Sequence, residues 1–460
     1  PLCGPLHWWP LLISWAGERG RLWRDLPRVA AGLPADSGDA RRLQVTQREY
    51  ALAVKIPASC VAEMAEAAAL GHNAWVRARA ASDFKLFEAN LERMVALARQ
   101  RADYLGFDEH PYDALLDLYE PGMKTSQVTA IFGDLRPQIT DLLRAITAAR
   151  APVDDSVLRR HYDVERQRTL VYDLMRRFGY DFTRGRHDAA PHPFCTSFSM
   201  DDVRITSRIV EDNLAYFFFS ALHETGHALY EQGRPHELGD LPAAESLTMG
   251  IHESQSLFWE RMIAQSKPFC QHYFETIRAA FPDNLKSATV DSFYRAINTC
   301  KPDFIRVEAD EVTYPLHIIL RYEIEKGLFD GSMQVDDLPH IWNELMQKYL
   351  GIQPPTDALG VLQDSHWSGG AFGYFPSYTL GAMYACQFYQ TLLREQPDTE
   401  RNIAKGNFSP IKNWLNEKIH RQGRLYSPQE LVQRVTGEAL NPDYFVDYLK
   451  RKYGEVYNLT

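Results

Sequence analysis

The chain has 460 residues, 45% of them hydrophobic and 12% aromatic, and a formal net charge of −10 with acidic and basic residues interspersed. That balance argues against nucleic acid or an anionic membrane surface as the main partner. Six widely spaced cysteines (Cys3, Cys60, Cys195, Cys270, Cys300, Cys386) without a C-x-x-C exclude a disulfide framework or a zinc ribbon, and read as reduced core thiols of a cytosolic protein.

Leu6 to Ala16 is apolar enough to resemble the hydrophobic part of an export signal, but no basic residue precedes it and it is too short to span a bilayer. The chain begins at Pro1 rather than Met, which reads as a fragment or a disturbed gene model, and no export is assigned. Residues 1–40 show no sustained period and form an uncertain N-terminal segment. From about Arg41 onward, helix follows helix. Ala58 to Ala69 has helical composition, and Trp75 to Tyr104 is a long amphipathic run with Phe84, Phe87, Leu91, Met94 and Leu97 at spacings of three and four. Thr125–Ala149 and Val157–Phe178 continue the helical period. One strand is expected, Phe194 to Arg208, with alternation around Val203-Arg204-Ile205-Thr206. Helices are expected at Leu214–Gln232, Ile251–Gln265, 269–280, 290–298, 302–327, 337–350, 376–396, 400–419, 428–436 and 442–451. No repeat and no composition shift divides them. The expected organisation is mainly α, a single helical catalytic domain over 41–460 with a small β element beside the Leu214–Gln232 helix.

That helix carries the chemistry. It places His223 and His227 four residues apart on one face, about a turn from each other, where two imidazoles can share one zinc ion. Glu224 lies close enough to act on a metal-bound water without ligating the metal. The competing interpretation is a core helix with two satisfied histidines. Apolar residues from Ala215 to Phe219 and at Ala228, Leu229 and Tyr230 make the helix largely buried, however. Two imidazoles and a carboxylate on a buried stripe are costly without a cation to pair with.

A catalytic zinc takes three protein ligands. A third His six residues beyond His227 is absent, because Gly233 stands there. A Glu on a following helix is the alternative, and Glu253, 26 residues after His227, is spaced for a helix–loop–helix return. On spacing alone it reads equally as a surface glutamate of an amphipathic helix.

Six short motifs in order resemble those of the M32 metallocarboxypeptidases: His192-Pro193-Phe194; Asp202-Val203-Arg204-Ile205-Thr206; His223-Glu224-Thr225-Gly226-His227; His252-Glu253-Ser254-Gln255; Ile305-Arg306-Val307-Glu308-Ala309-Asp310; and Gly360-Val361-Leu362-Gln363-Asp364-Ser365-His366-Trp367. The resemblance covers roughly residues 60–455 and is not recognisable over the first 40 to 50. It implies a large helical, neurolysin-like metallopeptidase fold with a deep groove. It implies His223, His227 and Glu253 as ligands of one Zn2+ per chain, for which Co2+ can substitute, and Glu224 as general base and then acid. It implies broad-specificity release of single C-terminal amino acids from peptides with a free C-terminus, by a cytoplasmic homodimer.

An exopeptidase acting at a C-terminus needs a cation for the free carboxylate, and a guanidinium fork suits it. The resemblance assigns that role to Arg306, whereas spacing alone suggests an i,i+4 helical pair between Arg306 and Asp310. The glycine–aromatic loop Gly369 to Tyr378 offers phenols, with Tyr378 first and Tyr374 second, to donate to an oxyanion or the carboxylate. His192 and His366 are further groove candidates, each equally readable as a satisfied structural histidine. Asp202, Arg204 and Thr206 are expected to support the metal helix from the adjacent strand, and Asp310 to support the site similarly. The rival functions are an endo-oligopeptidase or dipeptidyl carboxypeptidase on the same scaffold, and a catalytically impaired zinc-binding scaffold.

Overall fold

Three helices open the described part of the chain, which comprises residues 32–459 of a computed structural model except 35 and 151. They are α1 (Gly38–Lys55), α2 (Ala58–Ala81) and α3 (Lys85–Leu105). Most of the uncertain 1–40 segment lies outside the described residues. Within it, α1 starts behind Ser37, whose hydroxyl accepts from the Ala40 amide at 3.2 Å. The run expected as one helix from Trp75 to Tyr104 is broken. Ser82 adopts the left-handed conformation (φ 52°), its hydroxyl accepts from the Ala358 amide, and the Phe84 amide donates to Asp357, both at 3.0 Å. Capping by a distant loop therefore overrides an unbroken periodicity. The result is a hairpin of α2 against α3, in which Phe87, Leu91, Met94 and Leu97 still face the core.

After α4 (Pro111–Leu116) and α5 (Thr125–Thr147) comes α6 (Val164–Phe178). It begins later than the sequence suggested, because the Asp163 carboxylate caps the Arg166 amide at 2.9 Å while Val157 sits in a separate short turn. The single expected strand is two, and a third precedes them: β1 (Gly185–Ala189), β2 (Phe194–Ser199) and β3 (Asp202–Ser207), in the order β1-β3-β2. β1 runs parallel and β2 antiparallel to β3, with His187 and Cys195 both in register with Ile205. Arg184 fastens the β2–β3 turn by donating to Asp201 at 2.7 Å and to the Met200 carbonyl at 2.8 Å.

The sheet lies against α7 (Leu214–Gln232), which is followed by α8 (Met249–Leu257). The latter continues as a π-helical stretch over Phe258–Ala264. Next come α9 (Lys267–Ala280), α10 (Pro282–Leu285) and α11 (Val290–Ile297). The helix expected from 302 starts only at Tyr314, as α12 (Tyr314–Asp330). The Asp310 carboxylate gathers the amides of Lys301, Val312 and Thr313 at 2.9–3.0 Å and holds the preceding stretch as a turn. Then follow α13 (Leu338–Leu350), α14 (Pro376–Glu395), α15 (Thr399–Ile403) and α16 (Ser409–Lys418). The last two replace one expected helix, with Gly406 at φ 69° between them. The chain closes with α17 (Pro428–Thr436) and α18 (Asp443–Tyr457).

The fold is mainly α, as expected. One continuous set of buried apolar side chains extends from Ile56 to Tyr457 and includes Cys60, Cys270, Cys300 and Cys386 as buried thiols. Among the described residues no helix is long and apolar enough to cross a membrane.

Candidate metal centre

Asn213 starts α7 by accepting from the amides of Ala215 and Tyr216, and nearly three turns later the helix presents His223, then His227, with ring centroids 4.9 Å apart. α8 brings Glu253 to them. Its Oε1 lies 3.6 Å from His223 Nε2 and its Oε2 lies 3.7 Å from His227 Nε2. One ligand atom from each of the three falls within 4.8 Å of the others. A tetrahedral ion with ligands at about 2.0–2.2 Å separates them by roughly 3.4 Å, so these residues fit a divalent ion with little movement.

Close helix packing makes the convergence possible. A β-carbon on Gly226 would stand 2.5 Å from the Gln255 carbonyl oxygen, and one on Gly381 of α14 would stand 2.7 Å from Glu253 Cβ. Glycine on both sides thus lets α7 and α14 close on α8. The α8 N-terminus is held by Glu120, a fully buried carboxylate accepting from Thr248 Oγ1, the Gly250 amide and Tyr384 Oη, each at 3.1 Å.

Both imidazoles are oriented from behind. His223 Nδ1 meets Glu260 Oε2 at 2.8 Å. His227 Nδ1 meets His252 Nδ1 at 2.6 Å, and His252 Nε2 meets Glu231 Oε1 at 2.9 Å. His252, Glu260 and Glu231 went unassigned in the sequence. The signals available were that His252 adjoins Glu253, that Glu260 follows it by two turns, and that Glu231 lies one turn beyond His227.

Burial pulls the His223 imidazole down, but Glu253 and Glu260 outweigh it and push it up to about 9, so the position is a strong base toward a cation. Burial, with His252 and His223 nearby, holds His227 well below its usual value and so neutral, as a ligand must be. Burial raises Glu253 as well. Glu224 is buried and accepts no hydrogen bond from the described residues; burial moves its carboxyl up to about 7, into the range suited to exchanging a proton near neutrality.

A second cluster surrounds Arg306, which is only 4% exposed. Its Nε and Nη2 donate to Asp364 Oδ1 at 3.1 and 2.7 Å, and its Nη1 donates to Tyr314 Oη at 2.6 Å. Among the described residues, one N–H is left over on each terminal nitrogen. The guanidinium lies 4.9 Å from the Tyr378 ring centroid. Asp364 also accepts from Arg321 Nε at 2.7 Å; burial opposes its ionisation, but Arg306 and Arg321 outweigh that and hold it well below the usual carboxylate range. His366 Nε2 approaches Tyr378 Oη at 3.4 Å, and the Tyr374 and Tyr378 rings pack edge to face at 5.2 Å. Burial pushes the His366 imidazole down to about 3. Burial likewise raises Tyr314, to about 12, and raises Tyr374 and Tyr378; the charge of Glu253 adds to each, so all three phenols stand in electrostatic reach of the metal-ligand set. Glu325 holds this loop from below, accepting from Trp367 Nε1 at 2.7 Å, the Gly373 amide at 2.9 Å and Tyr112 Oη at 2.6 Å.

Several sequence candidates stand elsewhere. Asp202 and Arg204 pair with each other through two hydrogen bonds of 2.7–2.8 Å, and Arg204 covers the exposed Phe198 ring. The strand's inward residues are instead Val203 and Ile205, both fully buried. Thr206 donates to the His192 carbonyl at 3.0 Å, while the His192 side chain is exposed. Asp310 binds backbone amides rather than Arg306, so the i,i+4 pair does not form; Arg306 lies in a short turn whose fork is taken by Asp364.

Residues 20–453 match the family model for carboxypeptidase Taq (M32) metallopeptidases, so the likeness starts well ahead of the first recognisable motif. The chain is 43% identical over 419 residues to carboxypeptidase 1 of Bacillus subtilis (strain 168), covering 91% of this chain and 84% of that protein. It is 39% identical over 413 residues to thermostable carboxypeptidase 1 of Pyrococcus furiosus, covering 89% and 83%. Among solved structures, the M32 carboxypeptidase from Deinococcus radiodurans R1 superposes with a TM-score of 0.91 at 37% identity, over 95% of this chain and 88% of that one.

Proposed function

The chain belongs to the carboxypeptidase Taq (M32) family of divalent-metal peptide hydrolases, and from that premise we propose that it is a zinc-dependent carboxypeptidase of broad specificity, releasing one C-terminal amino acid at a time. The observation that carries the proposal is the convergence of His223 Nε2, His227 Nε2 and the Glu253 carboxylate, beside a buried Glu224 that takes no hydrogen bond from the described residues. In this reading the three residues hold one Zn2+, or Co2+ in its place. When bound, the cation supplies a Lewis acid that acidifies water and polarises the scissile carbonyl. Glu224 takes the proton of the attacking water and returns it to the leaving amine. The two N–H groups that Arg306 has left take the substrate's terminal carboxylate, with Asp364 and Tyr314 fixing the fork in place. Tyr378, and secondarily Tyr374, donate to the oxyanion or the carboxylate. His366, beside Tyr378, lines the same space. The buried thiols support a cytoplasmic setting, and light scattering tests the homodimer that the proposal includes.

Mass spectrometry of one unstructured peptide with a free or an amidated C-terminus, with and without chelator, tests the function. The proposal expects a ladder losing single C-terminal residues from the free acid only, abolished by chelator. Internal cuts in both peptides would replace it with an endo-oligopeptidase, loss of residue pairs with a dipeptidyl carboxypeptidase, and zinc binding without cleavage with a scaffold.

A further inference from the structure

We propose that Glu231 and His252 are positioning residues that decide which nitrogen of His227 carries hydrogen and which is bare. The proposal rests on His227 being a metal ligand and explains how the chain presents it.

Four contacts, together with His227 as a ligand, set the direction of each hydrogen in the chain. Arg234 Nε lies 3.2 Å from Glu231 Oε2 and Arg234 Nη1 donates to Glu245 at 2.9 Å, so Glu231 faces a guanidinium and stands as an anion. An ionised carboxylate only accepts. The His252 nitrogen beside it, Nε2 at 2.9 Å, must therefore carry hydrogen. With His227 Nε2 on the cation, the hydrogen of that imidazole sits on Nδ1, so the His252 Nδ1 facing it is the bare acceptor. The atom 2.6 Å from that acceptor is His227 Nδ1, which must donate to it. His227 Nε2 is left with a free lone pair, 3.7 Å from Glu253 Oε2 and turned into the ligand cluster.

His223 reaches the same state in one step, because Glu260 accepts directly from its Nδ1 at 2.8 Å. For His227 the command is relayed through a second imidazole. Since His252 precedes Glu253 on α8, one dipeptide delivers both a ligand and the group that orients another ligand. All members of the relay are buried or nearly so: side-chain exposures are 13% for His227, 15% for His252, and 7% for both Glu231 and Arg234. Water thus competes little with these bonds.

The test uses the full chain, stripped by chelator and reloaded with Zn2+ or Co2+ alone. Zinc affinity is read by competition with a chromophoric chelator. In the cobalt form, proton NMR reads the solvent-exchangeable, paramagnetically shifted N–H of each ligating imidazole. Wild type is expected to bind one ion and show two such signals. His252→Gln offers an oxygen to His227 and an amide to Glu231, so it should keep both signals and bind within about threefold of wild type. His252→Leu and Glu231→Leu, which remove the acceptors, should weaken binding about 10- to 100-fold, with loss of the His227 signal in His252→Leu. Wild-type affinity and both signals in these two variants would overturn the relay. If His252→Leu fails to fold, the contrast between Glu231→Leu and His252→Gln decides in the same way. A wild-type chain that binds no divalent ion would instead overturn the metal reading, and this proposal with it.

Discussion

Gly226, the fourth residue of the His223–His227 motif, lies so close to Gln255 that a β-carbon on it would stand 2.5 Å from the Gln255 carbonyl oxygen and 2.7 Å from Ser256 Cα. These neighbours are backbone atoms of α8, which cannot swing aside as a flexible side chain would. The motif position between Thr225 and His227 is therefore set by a helix–helix distance.

Gly226→Ala is expected to force α8 away from α7 and pull Glu253 from the histidines. Stability should fall by about 1–3 kcal/mol, and zinc affinity should fall with it in a chelator titration. Gly133, also helical but with nothing within 4 Å of its notional β-carbon, is the control. Gly133→Ala should raise stability by about 0.5–1 kcal/mol and leave metal binding unchanged.

Glu224→Gln should retain metal and lose at least about 10²-fold in kcat. Undiminished turnover, measured on a free-acid peptide with metal content confirmed, would remove Glu224 from the chemistry.

Arg306→Ala should lose activity chiefly through KM for peptides with a free carboxylate, and weaken inhibition by free-acid product analogues more than by their amides. Equal effects on both would make Arg306 structural. Asp364→Ala is the harsher change for folding, since it leaves Arg306 and Arg321 buried without their shared carboxylate; a cost of about 3–5 kcal/mol is expected in denaturant unfolding.

Glu120 and Glu325 give a pH signature. Burial moves both carboxyls up to about 7, against three hydrogen-bond donors each. A carboxyl whose folded pKa exceeds its unfolded value contributes stability that is complete below about 4.5 and lost as pH rises through about 7. Each shift corresponds to roughly 3 kcal/mol. Melting of the metal-loaded protein should therefore show a component that falls between pH 5 and 8, and Glu120→Gln with Glu325→Gln should flatten it. An unchanged slope would refute the assignment.

Much of the site was legible because its key spacings are local. His223 and His227 share a helix face by their offset alone, and the periodic helices α7, α13 and α14 fall within one or two residues of expectation. Glu253 could be proposed by distance along the chain but not distinguished from a surface residue, since its burial depends on Gly226 and Gly381 in other helices. Ser82, the Phe194–Ser207 hairpin and the late start of α12 at Tyr314 escaped for a common reason. Each is decided by a partner far away in sequence or by a turn-forming side chain such as Asp310, and hydrophobic period is blind to both. The same holds for Asp364, whose meaning appears only when Arg306 and Arg321 are seen on either side of it.

The α2–α3 hairpin is fastened to a segment made much later in synthesis. Trp75 Nε1 donates to the Leu362 carbonyl across 287 residues, and the Ser82 and Phe84 contacts with Ala358 and Asp357 span 276 and 273. On a ribosome adding about 5–20 residues per second, the hairpin waits roughly fifteen seconds to a minute before that partner emerges. Trp75, Ser82 and Phe84 lack these partners in that interval. Yield in a host cell should therefore depend on holding chaperones and on translation speed between the two segments, and damage to this early hairpin will surface as an inactive Arg306 cluster more than two hundred residues downstream.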